Sequence, residues 1–284
     1  MNLFMETVRI GCVPFLNAVP LISYFSTSHG MNEAELQLGV PTELARWIES
    51  DFTAASLASS FYAFSQENMR VADAISISSR GPIESVRLFS KKSFEEIETL
   101  SLDATSMTSN QLAQIILAER FGIRPKTFLA PPNLKAMLER TDAAVLIGDI
   151  GLAAEHRGLH VMDLGSAWEE MTRLPFVWAL WIGKEKLDEK VAGMLLRAKR
   201  YGIERLVPIA KEEAEKRNLP LSMCLRYLIE IVDYEFEDSH KRGLELFGEL
   251  CVKHKLSHEN HSPTFVRAAQ DMPSDAKPTK GHFV

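Results

Sequence analysis

Five side chains that can donate or accept hydrogen bonds, Thr105, Ser106, Thr108, Ser109 and Asn110, crowd six consecutive positions of this chain. Residues of these types cap helices, because their oxygens accept the first free N–H groups. The same arrangement can hold an anion, since free amides and the positive end of the helix dipole point outward at a helix start. Asn17 stands alone among apolar neighbours in F-L-N-A-V-P-L-I. An amide buried there needs partners, because leaving it unpaired costs about 1–3 kcal/mol, so Asn17 either structures a loop or serves a site. Asp149 closes the apolar run D-A-A-V-L-I-G. That places it at the C-terminal edge of a strand, where open α/β sheets bind ligands, although it could equally cap the helix that follows. His254, His258 and His261 have a spacing that a metal could use. No carboxylate or cysteine completes a site there, so no metal is expected.

Hydrophobic periodicity supplies the elements that must position these groups. Strands are expected at Val8–Val13, Leu36–Val40, Thr53–Leu57 and Ala74–Ile77. A turn at Gly81-Pro82 leads into an alternating strand with Ser85, Arg87 and Phe89 on one face. Thr99–Leu102 reads as a strand feeding the hydroxyl cluster, and Leu112, Ile115 and Ile116 mark one face of the helix beyond it. Arg124–Phe128, Asp142–Gly148 and Phe176–Ile182 are further strands, and Pro41 and Pro132-Asn133 open helices. From Lys184 the pattern changes to three amphipathic helices, Leu187–Ile209, Leu221–Val232 and Phe236–Lys253. Beyond Leu256 the composition predicts a loose tail, 257–284. Internal repeats, a P-loop and a dinucleotide glycine fingerprint are absent from the sequence.

At 284 residues the chain suits one large domain or two lobes, and its 46% hydrophobic and 25% charged residues are globular values. A net charge of −6 argues against a phosphate-tracking nucleic-acid binder, so an anion must be held by local donors. Three scattered cysteines, Cys12, Cys224 and Cys251, fit reduced thiols better than a disulfide framework. Met1–Thr7 contain no basic residue and resemble no export signal, and no apolar run reaches the ~18 residues of a membrane span. A cytoplasmic protein with no membrane partner is expected.

Five blocks in order then carry a resemblance: R-I-G-C-V-P-F-L-N-A-V-P at 9–20, S-R-G-P-I-E-S-V-R-L-F-S at 79–90, L-D-A-T-S-M-T-S at 102–109, L-I-G-D at 146–149, and D-L-G-S-A-W with L-P-F-V-W-A-L-W across 163–181. Together they resemble the menaquinone-biosynthesis enzymes of the futalosine pathway, most closely the chorismate dehydratase branch. The resemblance implies an α/β fold of the type II periplasmic-binding-protein kind, two lobes with a ligand cleft between them. Its first lobe would be 1–88 plus 184–256 and its second 89–183, with crossovers near Val86–Ser90 and Leu180–Gly183. It implies a small dicarboxylate substrate, chorismate, and no cofactor. Asn17 and Ser85 match the family's catalytic asparagine and serine. Thr108 and Ser109 would hold one carboxylate, with Ser79, Arg80 and Ser85 as candidates across the cleft and Asp149 nearby. The family's usual run after its second helix is replaced here by D-F-T-A-A-S-L-A-S-S-F-Y-A-F at 51–64, where Ser59 and Tyr62 look shared. Two other readings stand beside the lyase: the 1,4-dihydroxy-6-naphthoate synthase of the same pathway, and a non-catalytic binding protein for a small carboxylate.

Overall fold

The V-R-I-G-C run, apolar on alternate positions, becomes β1 (Val8–Cys12), an inner strand of the first of two sheets in the computed structural model, which describes residues 8–269. The other strands are β2 (Ala34–Leu38), β3 (Ala55–Ser59), β4 (Arg70–Ser79), β5 (Arg87–Ser90), β6 (Thr99–Asp103), β7 (Lys126–Ala130), β8 (Ala143–Leu146), β9 (His160–Asp163), β10 (Phe176–Gly183) and β11 (Thr264–Val266). One sheet runs β2-β1-β3-β10-β4-β11 and the other β7-β6-β8-β5-β9. The two share a plan. In each, one strand that the chain lends across the molecule, β10 or β5, lies antiparallel between neighbours that otherwise run parallel. This structural repeat leaves no trace in the sequence. Two α/β lobes result, with a cleft between them.

β5 lies wholly in the second sheet and β10 wholly in the first. The chain therefore changes sheets at 80–86 and 173–175, earlier than the expected crossovers near Val86–Ser90 and Leu180–Gly183. Ser85 is also outside the strand expected to carry it. The Asp163 carboxylate accepts the amides of Ile83 (3.1 Å) and Glu84 (2.7 Å), and Glu84 takes a left-handed φ of 60°, so ladder pairing begins only at Arg87. The expected Leu187–Ile209 helix is two helices, Glu189–Ile203 and Leu206–Arg217. Pro208 explains the break: it has no N–H to continue the first helix, but falls harmlessly in the first turn of the second. The tail is not loose from its start. β11 adds a parallel strand to β4 and buries Val266, while residues 270–284 lie outside the described residues.

One large apolar cluster spans both lobes, and a smaller one around Phe89, Met137 and Leu146 lies apart in the second lobe. At the junction Trp168, Phe176 and Phe247 meet edge to face, with centroids 5.1 Å (Trp168–Phe176) and 4.9 Å (Phe176–Phe247) apart. Aromatic pairs of this geometry add about 0.5–1.5 kcal/mol each beyond the area they bury. They stiffen the base from which the two sheets diverge.

Candidate active site

Residues following β1, β3 and β8, the loop after β6 and the segment before β5 converge on one cavity between the lobes. Its volume is about 100 Å³. A ligand that excludes water from so small a space strengthens every hydrogen bond made inside. Among the described residues the lining includes no Asp, Glu, His, Lys or Arg.

One corner is built from side chains far apart in sequence. Asn17 lies in a 3-10 turn, Leu16–Ala18, directly after the first strand segment. Its Nδ2 donates to Tyr227 Oη at 3.0 Å, and Tyr227 donates to Ser85 Oγ at 2.7 Å. Asn17 and Ser85 line the cavity, and Tyr227, 1% exposed, stands behind them. Burial pushes the Tyr227 phenol well up, so it keeps its proton. Asp163 locks the turn before Ser85, and a Cβ on Gly151 would meet the Ser85 carbonyl at 2.3 Å.

The opposite corner is the start of the Thr108–Phe121 helix. Met107 is its N-cap and cannot cap with its own side chain, but Ser106, one position earlier, accepts the Ser109 amide on its hydroxyl at 3.3 Å, so the hydroxyl cluster does cap the first turn in part. The polar residues also fold the preceding loop. Asp103 accepts the Thr105 amide (2.8 Å) and hydroxyl (2.6 Å), while Asn110 Nδ2 donates to the carbonyls of Asp103 (2.8 Å) and Ser106 (2.6 Å). The amides of Met107 and Thr108 have no acceptor among the described residues, nor does the Ser109 hydroxyl. All three residues line the cavity, as does Ser106.

Thr108 has a different duty from Ser109. Its hydroxyl donates to the Trp178 carbonyl (3.3 Å) and accepts from the Phe61 amide (3.3 Å), with Ser59 Oγ at 2.5 Å. It pins the second lobe to the first. Ser79, Arg80 and Asp149 are not part of the lining. Ser79 accepts from Trp178 Nε1 (3.2 Å) and donates to the Gly81 carbonyl (3.2 Å). Arg80 reaches Asp233 and Glu237, each at 3.2 Å. Asp149 neither caps its helix nor faces the cavity: it accepts the Leu16 amide at 3.1 Å and pairs with Arg217 from the other lobe. Arg217 also donates to the Pro14 carbonyl (3.1 Å) and to Glu213 (2.8 Å). The turn bearing Asn17 is thus gripped from both sides.

Tyr227, Asp163 and Arg217 were missed by sequence reasoning. A signal existed for Tyr227, since a tyrosine on the core face of a helix must find a partner for its hydroxyl. Its π-helical turn, Tyr227–Ile231, left no pattern to read. The divergent 51–64 segment contributes Leu57, Ala58, Ser59 and Tyr62 to the wall. Tyr62 donates to Glu49 at 3.0 Å, and burial followed by that carboxylate pushes its phenol up. Of the three histidines, His254 pairs with Glu119 at 2.5 Å. His261 does have carboxylates beside it, Glu67 and Glu259, contrary to expectation, but both glutamates are exposed and none of the three lines the cavity.

Comparison with known proteins agrees with this architecture. Residues 8–253 match the model of a family described as menaquinone biosynthesis. The chain is 28% identical over 265 residues to the chorismate dehydratase of Thermus thermophilus, covering 86% of this chain and 95% of that one. Its structure resembles protein AF1704 of Archaeoglobus fulgidus, with a TM-score of 0.72 at 19% identity over 89% of this chain and 99% of the other. It also resembles the periplasmic aliphatic sulphonate binding protein SsuA of Escherichia coli, with a TM-score of 0.63 at 12% identity over 97% and 98%. Among the described residues no helix is long and apolar enough to cross a membrane.

Proposed function

Since the chain belongs to the menaquinone-biosynthesis family, we propose that it is a chorismate dehydratase, a carbon–oxygen lyase that converts chorismate to 3-[(1-carboxyvinyl)oxy]benzoate and water. The activity of the Thermus thermophilus relative supports this reading; on it the chain would act at the chorismate step of the futalosine route, in the cytoplasm.

The observation that carries it is the character of the cavity: hydroxyls, one amide and a helix start, with no carboxylate, imidazole, guanidinium or ammonium among the described residues of the lining. Such a site suits a substrate that brings its own charge and its own base. One substrate carboxylate sits on the Met107 and Thr108 amides and the Ser109 hydroxyl, where the helix dipole favours negative charge. The ring lies toward Asn17 and Ser85. The enolpyruvyl carboxylate takes the proton from the ring carbon bearing the ether, and the C–H electron pair enters the ring. The C–O bond to the neighbouring hydroxyl then breaks, and the departing oxygen collects that proton and leaves as water. Aromatisation drives the reaction, so the protein contributes position more than basicity. Asn17, which has no basic nitrogen, orients the ring and stabilises developing charge.

The test is direct. Purified protein mixed with chorismate should yield a product lighter by one water, with the ultraviolet spectrum of a substituted benzoate. Tight binding with unchanged chorismate would assign the chain to the non-catalytic binders, and no binding would remove the cleft reading.

A further inference from the structure

We infer that Tyr227 is a positioning residue that aims the Ser85 proton into the cavity, so that Ser85 acts as a hydrogen-bond donor to the oxygen that leaves. The mechanistic part rests on the dehydratase reading; the hydrogen-bond direction does not.

A count of protons fixes the direction of the relay. The Nδ2 of Asn17 can only donate, and it donates to Tyr227 Oη at 3.0 Å. Tyr227 has a single proton, and it goes to Ser85 Oγ at 2.7 Å. With Tyr227 1% exposed, solvent cannot intervene to reverse that order. Ser85 Oγ therefore already accepts one hydrogen bond, and its own proton must point elsewhere. Among the described residues it finds no acceptor, and Ser85 lines the cavity. The Asn17 carbonyl oxygen, relieved of any duty toward Tyr227, remains an acceptor. The corner thus presents one donor, from Ser85, beside one acceptor, from Asn17. That polarity matches a hydroxyl that departs with growing negative charge, and it makes Ser85 ill-suited to act as a base. Burial, which keeps the phenol protonated, holds the direction fixed across the working pH range.

The support for Tyr227 is as built as the relay. It opens the π-helical turn Tyr227–Ile231, and Val232 closes that turn by donating its amide to the Tyr227 carbonyl at 3.0 Å. π-turns of this kind occur often at functional sites. Neighbouring Asp233 anchors the segment to β4, exchanging backbone hydrogen bonds with Ser78 at 2.9 and 2.8 Å.

Two measurements test the inference. In the ligand-free protein, nuclear magnetic resonance should show a slowly exchanging hydroxyl proton that disappears in Tyr227→Phe and shifts in Ser85→Ala. A hydroxyl resonance indifferent to Ser85→Ala would overturn the relay whether or not the protein turns over chorismate. In turnover, Tyr227→Phe should lower kcat about 10–100-fold with KM within about threefold. That loss should shrink severalfold in a Ser85→Ala background, because residues acting through one another are not additive. Full kcat in Tyr227→Phe, or losses that multiply independently in the double variant, would reduce Tyr227 to a packing residue. Wild-type protein that leaves chorismate intact would sink the dehydratase reading, while the resonance still decides the relay.

Discussion

The two corners of the cavity solve opposite problems. The Asn17–Tyr227–Ser85 corner joins three segments separated by up to 210 positions, and Asp163 and Asp149 hold its turns from behind. Every polar atom at its rear is committed, so what faces the cavity is fixed in direction. The Met107–Ser109 corner is local: one loop folded by its own side chains leaves amides and a hydroxyl free. A reacting atom needs fixed direction, whereas a carboxylate needs several donors within reach. The difference separates positioning for chemistry from capacity for binding, and substitutions should divide along that line.

The largest expected effect is at the first corner. Asn17→Ala should cut turnover about 100-fold or more while changing the dissociation constant for chorismate much less. Full activity in this variant would move the chemistry away from that corner. Next comes Ser109→Ala, which should weaken chorismate binding by about 1–3 kcal/mol, read by calorimetry, with a smaller change in kcat. Unchanged affinity with lowered melting temperature would make Ser109 part of the helix start alone. Asp149→Asn sharpens the comparison, because it disturbs the Asn17 turn through the pair with Arg217 without touching the lining. We expect kcat to fall roughly tenfold, a share of the ~100-fold loss that a full transition-state contact is worth.

The smallest effect on activity belongs to Asp142, in the second lobe but outside the cavity lining. Burial pushes its carboxyl up, but Lys92, the Thr99 hydroxyl and the amides of Glu98 and Thr99 outweigh it and lower the pKa from 3.8 to about 2. A carboxyl depressed by folding stabilises fully above its unfolded pKa and loses that stabilisation as pH falls through the folded one. The stability difference between wild type and Asp142→Asn should therefore hold at pH 5 and above and shrink from about pH 4 down to pH 2, in denaturant titrations at each pH. A difference constant across that range would refute the ion pair's role, and kcat should not move.

Legibility in the sequence followed the same division. The hydroxyl cluster was readable because its partners lie within a few positions of one another, from Asp103 to Asn110. Periodicity exposed the β1 strand and the Thr108–Phe121 helix for the same reason, as each is specified by its own residues. Asn17 and Ser85 could be named from a resemblance, but their link through Tyr227 could not, because nothing near any of the three encodes it. Arg80 shows the reverse case. The resemblance made it a candidate across the cleft, whereas in the fold Asp233 and Glu237 claim it and it is not part of the lining. Asp149 sat in the right region for a reason that depends on Arg217, 68 positions away.

One feature of the first sheet reaches beyond the site. β10 lies between β3 and β4, yet the chain makes it only after the whole second sheet has been laid down. During synthesis β3 and β4 must wait with open edges while residues 87–163 emerge as an unbroken stretch that already contains every strand of its own sheet. The second lobe can close first, by mostly short-range pairing, and the first is completed around it by a late strand. A chain ending just before Phe176 would hold a second sheet with all its strands, tethered to a first sheet with a gap in its middle. Such a gap binds any available strand, so this chain is most exposed to misassociation in the interval before β10 arrives.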